Sequence, residues 1–208
     1  MKSDQLIIVI GRRFGSGGRR IGKLLAQRLG LRYFDRALLS ECASSLGFDP
    51  SIFVMADEKK PSPLRSLIST AFGVAEQCTS GGISREELYR AQGEVIRRLA
   101  SEGGCVFVGR SADYILRHHP KLVSIFLTAP LNYRAKATVA AGEAPDEAKA
   151  RDMARSKDRD REGFYNFFTG RQWGSADNYH LTADTSLLSD EAVCEMIECY
   201  VRGRGFKA

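Results

Sequence analysis

Residues 7–30, IIVIGRRFGSGGRRIGKLLAQRLG, constrain the fold of this chain more than any other stretch. A β-branched run ends at Gly11, and glycines crowd positions 15–18. Ile21, Leu24, Leu25 and Leu29 then recur at helical spacing until Gly30 supplies a stop. Strand, glycine-rich turn and amphipathic helix, in that order, are the layout of a loop that holds phosphate. In open α/β sheets such a turn lies at the carboxyl end of its strand, where ligands bind. Its glycines let backbone N–H groups converge on an anion, and the helix dipole adds about half a positive charge. The same three pieces also make a plain tight turn that packs a helix on a strand.

The standard nucleotide loop reads G-x-x-x-x-G-K-[ST]. Here Gly15, Ser16 and Gly17 fall in the loop, Gly18 stands where the lysine belongs, and Arg19 stands where a magnesium-binding hydroxyl belongs. The first glycine is displaced as well. Arg19 and Arg20 oppose the helix dipole, a costly arrangement unless an anion sits between them and the turn. A guanidinium grips phosphate oxygens in pairs and keeps its charge.

The rest of the chain alternates strand and helix. Leu6–Ile10, Leu31–Phe34, Cys105–Val108, Val123–Ala129 and His180–Ala183 read as short strands. Asp35 is placed to cap a helix that Gly47 ends, and Ser84 with Glu87 forms a capping box ahead of another. Two helical stretches flank Gly142, the second restarting near Pro145. Ser189 caps the last helix, with Asp190 and Glu191 in its first turn. Residues 49–83 carry three prolines and an apolar run around 64–74, and read as a mobile helical insertion within one domain spanning 1–208. Alternation of this kind predicts a parallel sheet with helices on both faces.

A net charge of +6 favours anionic partners, nucleotides and nucleic acids alike. The arginines are interspersed with carboxylates rather than gathered in one basic tract with aromatics, which ranks nucleic acid low. Five cysteines without paired spacing predict reduced thiols in a cytoplasmic protein. The first apolar run is too short for a signal peptide, and no run of about 18 apolar residues predicts a membrane span. His118, His119 and His180 have no metal spacing, and no metal ligands are assigned.

The blocks FGSGGRRIGKLLAQRLGLRYFDRALL, DEKKPSPLRSL, AQGEVIRRLASEGGCVFVGRSADYIL and YNFFTGRQWGSADNYHL together resemble the cytidylate kinase-like family, relatives of bacterial cytidylate kinases. The resemblance covers nearly the whole chain and is least distinctive at 130–150. It implies a three-layer α/β fold of the P-loop NTPase type, with a five-stranded parallel sheet, a helical monophosphate-binding insertion (49–83) and a lid (151–175). It further implies phosphoryl transfer from ATP, with Mg2+, to a nucleoside monophosphate such as CMP or dCMP. Absence of the loop lysine is usual in this branch, and the alternative is a nucleotide-binding sensor without catalysis.

By the same resemblance, Asp35 lies near base or sugar contacts of the acceptor, although a plain helix cap accounts for it equally. Gly109-Arg110 matches the start of a Gly-Arg-Asp motif whose arginine binds the acceptor phosphate. Ser111 replaces the aspartate here, and Asp113 stands close enough to compensate in part. In the lid, Asp158 and Arg161 reproduce the last two members of an Arg-Asp-x-x-Asp-x-x-Arg pattern. The leading arginine falls on Ala154, with Arg155 one place off. A closed lid would bring Arg155 or Arg161 to the phosphates. The expected catalytic set is therefore Arg19, Arg155, Asp158 and Arg161. Gly15, Ser16, Gly17, Gly18, Arg19 and Arg20 are expected to hold ATP phosphates, and Asp35, Arg110 and Asp113 the acceptor. Tyr165, Phe167, Phe168 and Trp173 are expected to pack rather than stack a base. Asp184-Thr185-Ser186 reads as a turn.

Overall fold

In the computed structural model, residues 6–45, 47–48 and 85–206 are described. The proposed insertion at 49–83 and the capping serine at 84 lie outside them. The central strand β1 (Ile7–Arg12) forms because five consecutive apolar or small residues can be buried on both faces at once. It pairs in parallel with β3 (Cys105–Val108) on one side and β4 (Leu122–Thr128) on the other. β2 (Arg32–Phe34) and β5 (Leu181–Asp184) complete a five-stranded sheet of order β2-β3-β1-β4-β5.

Side-chain alternation along β1 divides the core. Ile8 and Ile10 face a layer made by α1 (Gly18–Leu29) and the last helix, α7 (Asp190–Gly203). Ile7 and Val9 face α2 (Arg36–Ser45), α3 (Arg85–Ser101) and the short α4 (Ala112–Ile115). Each such isoleucine, fully buried, contributes about 1.5–3 kcal/mol. Arg28 of α1 fastens that layer with two hydrogen bonds to Glu198 of α7, at 2.5 and 3.0 Å. α5 (Leu131–Ala140) and α6 (Glu147–Thr169) form a hairpin over the carboxyl ends of the strands. Asp146 starts α6 by accepting the Lys149 N–H at 2.8 Å, and Ser189 starts α7 by accepting the Ala192 N–H at 3.2 Å.

The expected lid (151–175) is thus all but the first turn of one 23-residue helix and the loop after it. Tyr165 and Trp173 join Phe126 and Tyr179 in a buried cluster, and Phe168 stacks on Tyr89 at 4.4 Å. Phe167 differs from its aromatic neighbours and is 62% exposed. Asp184 accepts the Ser186 N–H at 2.7 Å, which makes the 184–186 segment a side-chain-closed turn. Among the described residues no helix is long and apolar enough to cross a membrane.

Candidate active site

A cavity of about 440 Å³ opens at the carboxyl ends of β1 and β3. α1 points its N-terminus into it, and the middle of α6 forms the opposite wall. Gly17 caps α1 with φ 79°, in the left-handed region that glycine enters without steric cost. No side chain caps this end and no acidic residue occupies its first turn. The N–H groups of the first turn, which helix geometry leaves without intrahelical partners, therefore face the cavity mouth. Such an end accepts an anion.

Seven arginines line the cavity, and three of them act as repulsive neighbours of a fourth. Arg12, Arg19, Arg110 and Arg161 all line the cavity. Arg12 is held well below its ordinary range, first by burial and then by repulsion from Arg161, Arg19 and Arg110. Arg161 donates Nη1 to the Arg12 carbonyl at 3.1 Å, which binds α6 to the end of β1. Arg110 reaches the cavity through strained backbone: Gly109, Arg110 and Ser111 are consecutively left-handed, with φ of 82°, 63° and 51°. Two such non-glycine residues in a row cost on the order of 1–3 kcal/mol each, a cost typical of functional sites. The Gly109 N–H bond to the Ile10 carbonyl at 3.0 Å, and those of Tyr114 and Ile115 to the Ser111 carbonyl at 3.0 and 2.9 Å, hold the turn.

The other expected residues divide. Arg20 lines the cavity but spends its guanidinium on Asp190, donating at 2.6 and 2.9 Å. Ser16 turns its hydroxyl away, into the Arg13 and Leu127 carbonyls at 2.9 and 3.2 Å, so it closes the loop rather than facing a phosphate. Gly15 backs onto α5, where a Cβ would lie 2.8 Å from the Arg134 carbonyl oxygen. Asp158 is buried with both oxygens committed: one accepts the Phe14 N–H at 2.7 Å, the other Arg134 Nη1 at 2.8 Å. This is a positioning residue, which clamps α6 to the loop. Arg155 falls off the cavity face of α6: it is 60% exposed and pairs with Asp152 at 3.7 Å. Lys157, Arg161 and Phe164, spaced by four and three, occupy that face instead. Asp35 caps α2 by accepting the Ala37 N–H at 3.0 Å. It lines a second recess beside Arg19, Arg20 and Tyr33 rather than the main cavity.

Asp113 is buried at the cavity edge and accepts the Tyr165 hydroxyl at 2.7 Å. Burial raises its carboxyl from 3.8 to about 6, against the opposing pull of that hydrogen bond. Between these values the folded chain holds a proton that the unfolded chain has released. Stability from this group is therefore present at low pH and lost as pH rises through about 4 to 6. Asp113→Asn, uncharged throughout, is expected to raise the melting temperature over wild type at pH 7.5 and not at pH 4. Equal shifts at both pH values would refute the assignment.

Reading the sequence did not find Arg12. A signal was available: Arg12 continues the Ile8–Ile10 face of β1, so alternation aims it at α1. Lys157 was missed as one charge among many on α6.

Glycine-turned anion site, parallel sheet and helical wall define a P-loop kinase fold. A profile of the cytidylate kinase-like family matches residues 7–187, and the chain belongs to that family. An uncharacterized protein from Eubacterium ventriosum aligns over 95% of this chain and 99% of its own, at 24% identity and a TM-score of 0.72. Shikimate kinase from Bacteroides thetaiotaomicron aligns over 95% and 98%, at 10% identity and 0.54. A gluconokinase from Sinorhizobium meliloti aligns over 95% and 92%, at 14% identity and 0.53. No curated protein matches the sequence. Family and fold together support a kinase of nucleotides or small molecules.

The residues fit the phosphates of ATP, through the guanidiniums and the first turn of α1. They present no preassembled magnesium site: no cluster of three or more His, Cys, Asp or Glu occurs among the described residues. A magnesium ion would be held chiefly by the nucleotide's own phosphates and water.

Proposed function

We propose that the protein transfers the terminal phosphoryl group of ATP to a nucleoside monophosphate, with CMP or dCMP the acceptor. The observation that carries this reading is the convergence of Arg12, Arg19, Arg110 and Arg161 on one cavity, with three of them as the principal repulsive neighbours of the fourth. Like charges are gathered at a cost to the folded chain, and a polyphosphate repays it.

In the reaction an acceptor phosphate oxygen attacks the γ-phosphorus as the bond to the β-phosphate oxygen breaks, giving a nucleoside diphosphate and ADP. Magnesium, when bound, neutralises charge on the β- and γ-phosphates. The chain's own part is to hold donor and acceptor in line and to surround the moving group with positive charge. Arg19 and the first turn of α1 serve the donor phosphates, Arg110 the acceptor phosphate. Arg161, on α6, lies across the junction. Phe164 offers a flat acceptor base an apolar surface near Asp113, while Tyr165 and Trp173 stay packed in their buried cluster.

A coupled assay with ATP, magnesium and each ribo- and deoxyribonucleoside monophosphate is expected to show turnover, highest on CMP or dCMP. A second reading, a sensor that binds nucleotide without consuming it, is favoured by Gly18 at the lysine position and by the Ser16 hydroxyl being spent within the loop. No turnover on any acceptor, with ATP still raising the melting temperature, would select it.

A further inference from the structure

Gly18 stands where a phosphate loop ordinarily carries its lysine, and the structure shows what fills that space. The side chain of Arg12 leaves the end of β1 and runs across the first turn of α1. A Cβ at Gly18 would lie 2.8 Å from both Cβ and Cγ of Arg12, closer than real side chains approach. A Cβ at Gly109, on the neighbouring strand end, would collide with the Arg12 guanidinium itself. Two glycines far apart in the sequence thus line the two sides of one channel, and Arg12 occupies it. Gly109 also adopts φ 82°, but Gly18 is helical and needs no glycine for its backbone. Clearance for Arg12 is what its bare α-carbon supplies.

We infer that Arg12 supplies the positive charge of the missing loop lysine, entering from the strand end instead of the helix, with Gly18 and Gly109 as the residues that admit it. The inference rests on the kinase reading and deepens it. Any side chain at position 18, a lysine included, would meet the Arg12 stem along its present course, so the two cannot both occupy this space. The stem passes the first turn of α1 at Gly18 and the guanidinium ends beside Gly109, in the cavity that Arg19, Arg110 and Arg161 also line. A polyphosphate seated on the α1 turn and extending along the cavity toward Gly109 would meet this charge, whereas a monophosphate held by that turn alone would stop short of it. Guanidinium also offers two parallel donors where ammonium offers a point charge.

The test is calorimetric binding of ATP and of AMP to wild type, to Arg12→Gln and to the double variant Arg12→Gly/Gly18→Lys, in which glycine also removes the Cβ that a side chain at position 18 would meet. Arg12→Gln keeps most of the stem against Gly18 and removes the charge. Its ATP affinity is expected to fall by at least about tenfold and its AMP affinity to change by less than about threefold. The double variant returns a lysine to the vacated space and is expected to recover most of the loss. Gly18→Lys alone is expected to bind ATP worse than the double variant, because the new stem meets Arg12. Should Arg12→Gln bind and consume ATP like wild type, the inference falls and the kinase reading stands. Equal losses for ATP and AMP also overturn it, since they mark general damage to the turn. Wild type that binds no ATP overturns the kinase reading, and this inference with it. If Arg12→Gln melts too low to assay, the double variant decides: failure to bind ATP while folded counts against the exchange.

Discussion

Replacing Arg161 with alanine is expected to lower turnover by on the order of 10³-fold, the scale of an arginine finger. The unliganded protein is expected to lose far less in melting temperature than this loss in rate would suggest. Both outcomes follow from where the side chain sits. Arg161 lines the cavity from α6 and is the largest repulsive neighbour of Arg12. Its removal costs, among its contacts, a hydrogen bond to the Arg12 carbonyl at 3.1 Å, a weak contact with Asp158 at 4.0 Å and its place over the Phe14 ring at 5.7 Å. It also relieves a like-charge contact that lacks its anion. Activity and stability therefore move apart, as they do where a site stores unfavourable charge for use in the transition state. Arg161→Lys should recover part of the rate. A rate loss that merely tracks a fall in melting temperature would identify Arg161 as a structural tie between α6 and β1.

The second large effect is on stability. Asp158→Ala is expected to cost about 3–5 kcal/mol, because it leaves the Arg134 guanidinium buried without its partner. The pair is at 2.8 Å with side chains only 7% and 9% exposed. The same substitution orphans the Phe14 N–H, which donates to Asp158 at 2.7 Å. Arg134 holds two further backbone oxygens, of Phe14 and Ala129, both at 2.9 Å. Loss of its carboxylate therefore loosens the loop, α5 and α6 together. Urea unfolding measures the cost. Asp158→Leu/Arg134→Met, which removes both charges, is expected to lose less than either single change. If the two single losses simply add, the pair carries no special coupling and the clamp is an incidental contact.

Much of this molecule is legible in its sequence. The five strands, the α1 stop at Gly30 and the Ser189 cap follow from apolar runs, glycine and hydroxyl chemistry, which are local. The site was legible in outline: glycine turn, Arg110 after β3 and Arg161 on the later helix all line one cavity. Its division of labour was not. Arg19 and Arg20 look alike in sequence, but only Arg20 meets Asp190, which α7 delivers from the far end of the chain. Asp158 stands out in sequence as a member of the lid pattern, but only α5, by bringing Arg134 against it, makes it a clamp. Arg155 and Arg161 differ only in helical phase, which decides which one faces the cavity.

Periodicity and glycine placement alone determined that this chain makes a parallel sheet with an anion-seeking turn at its edge, because those properties depend on neighbours within a few residues. Which guanidinium occupies the lysine's space was decided only in three dimensions. That space is bounded by Gly18 and Gly109, on separate elements, and a gap between two elements has no signature in either one until the sheet brings them together.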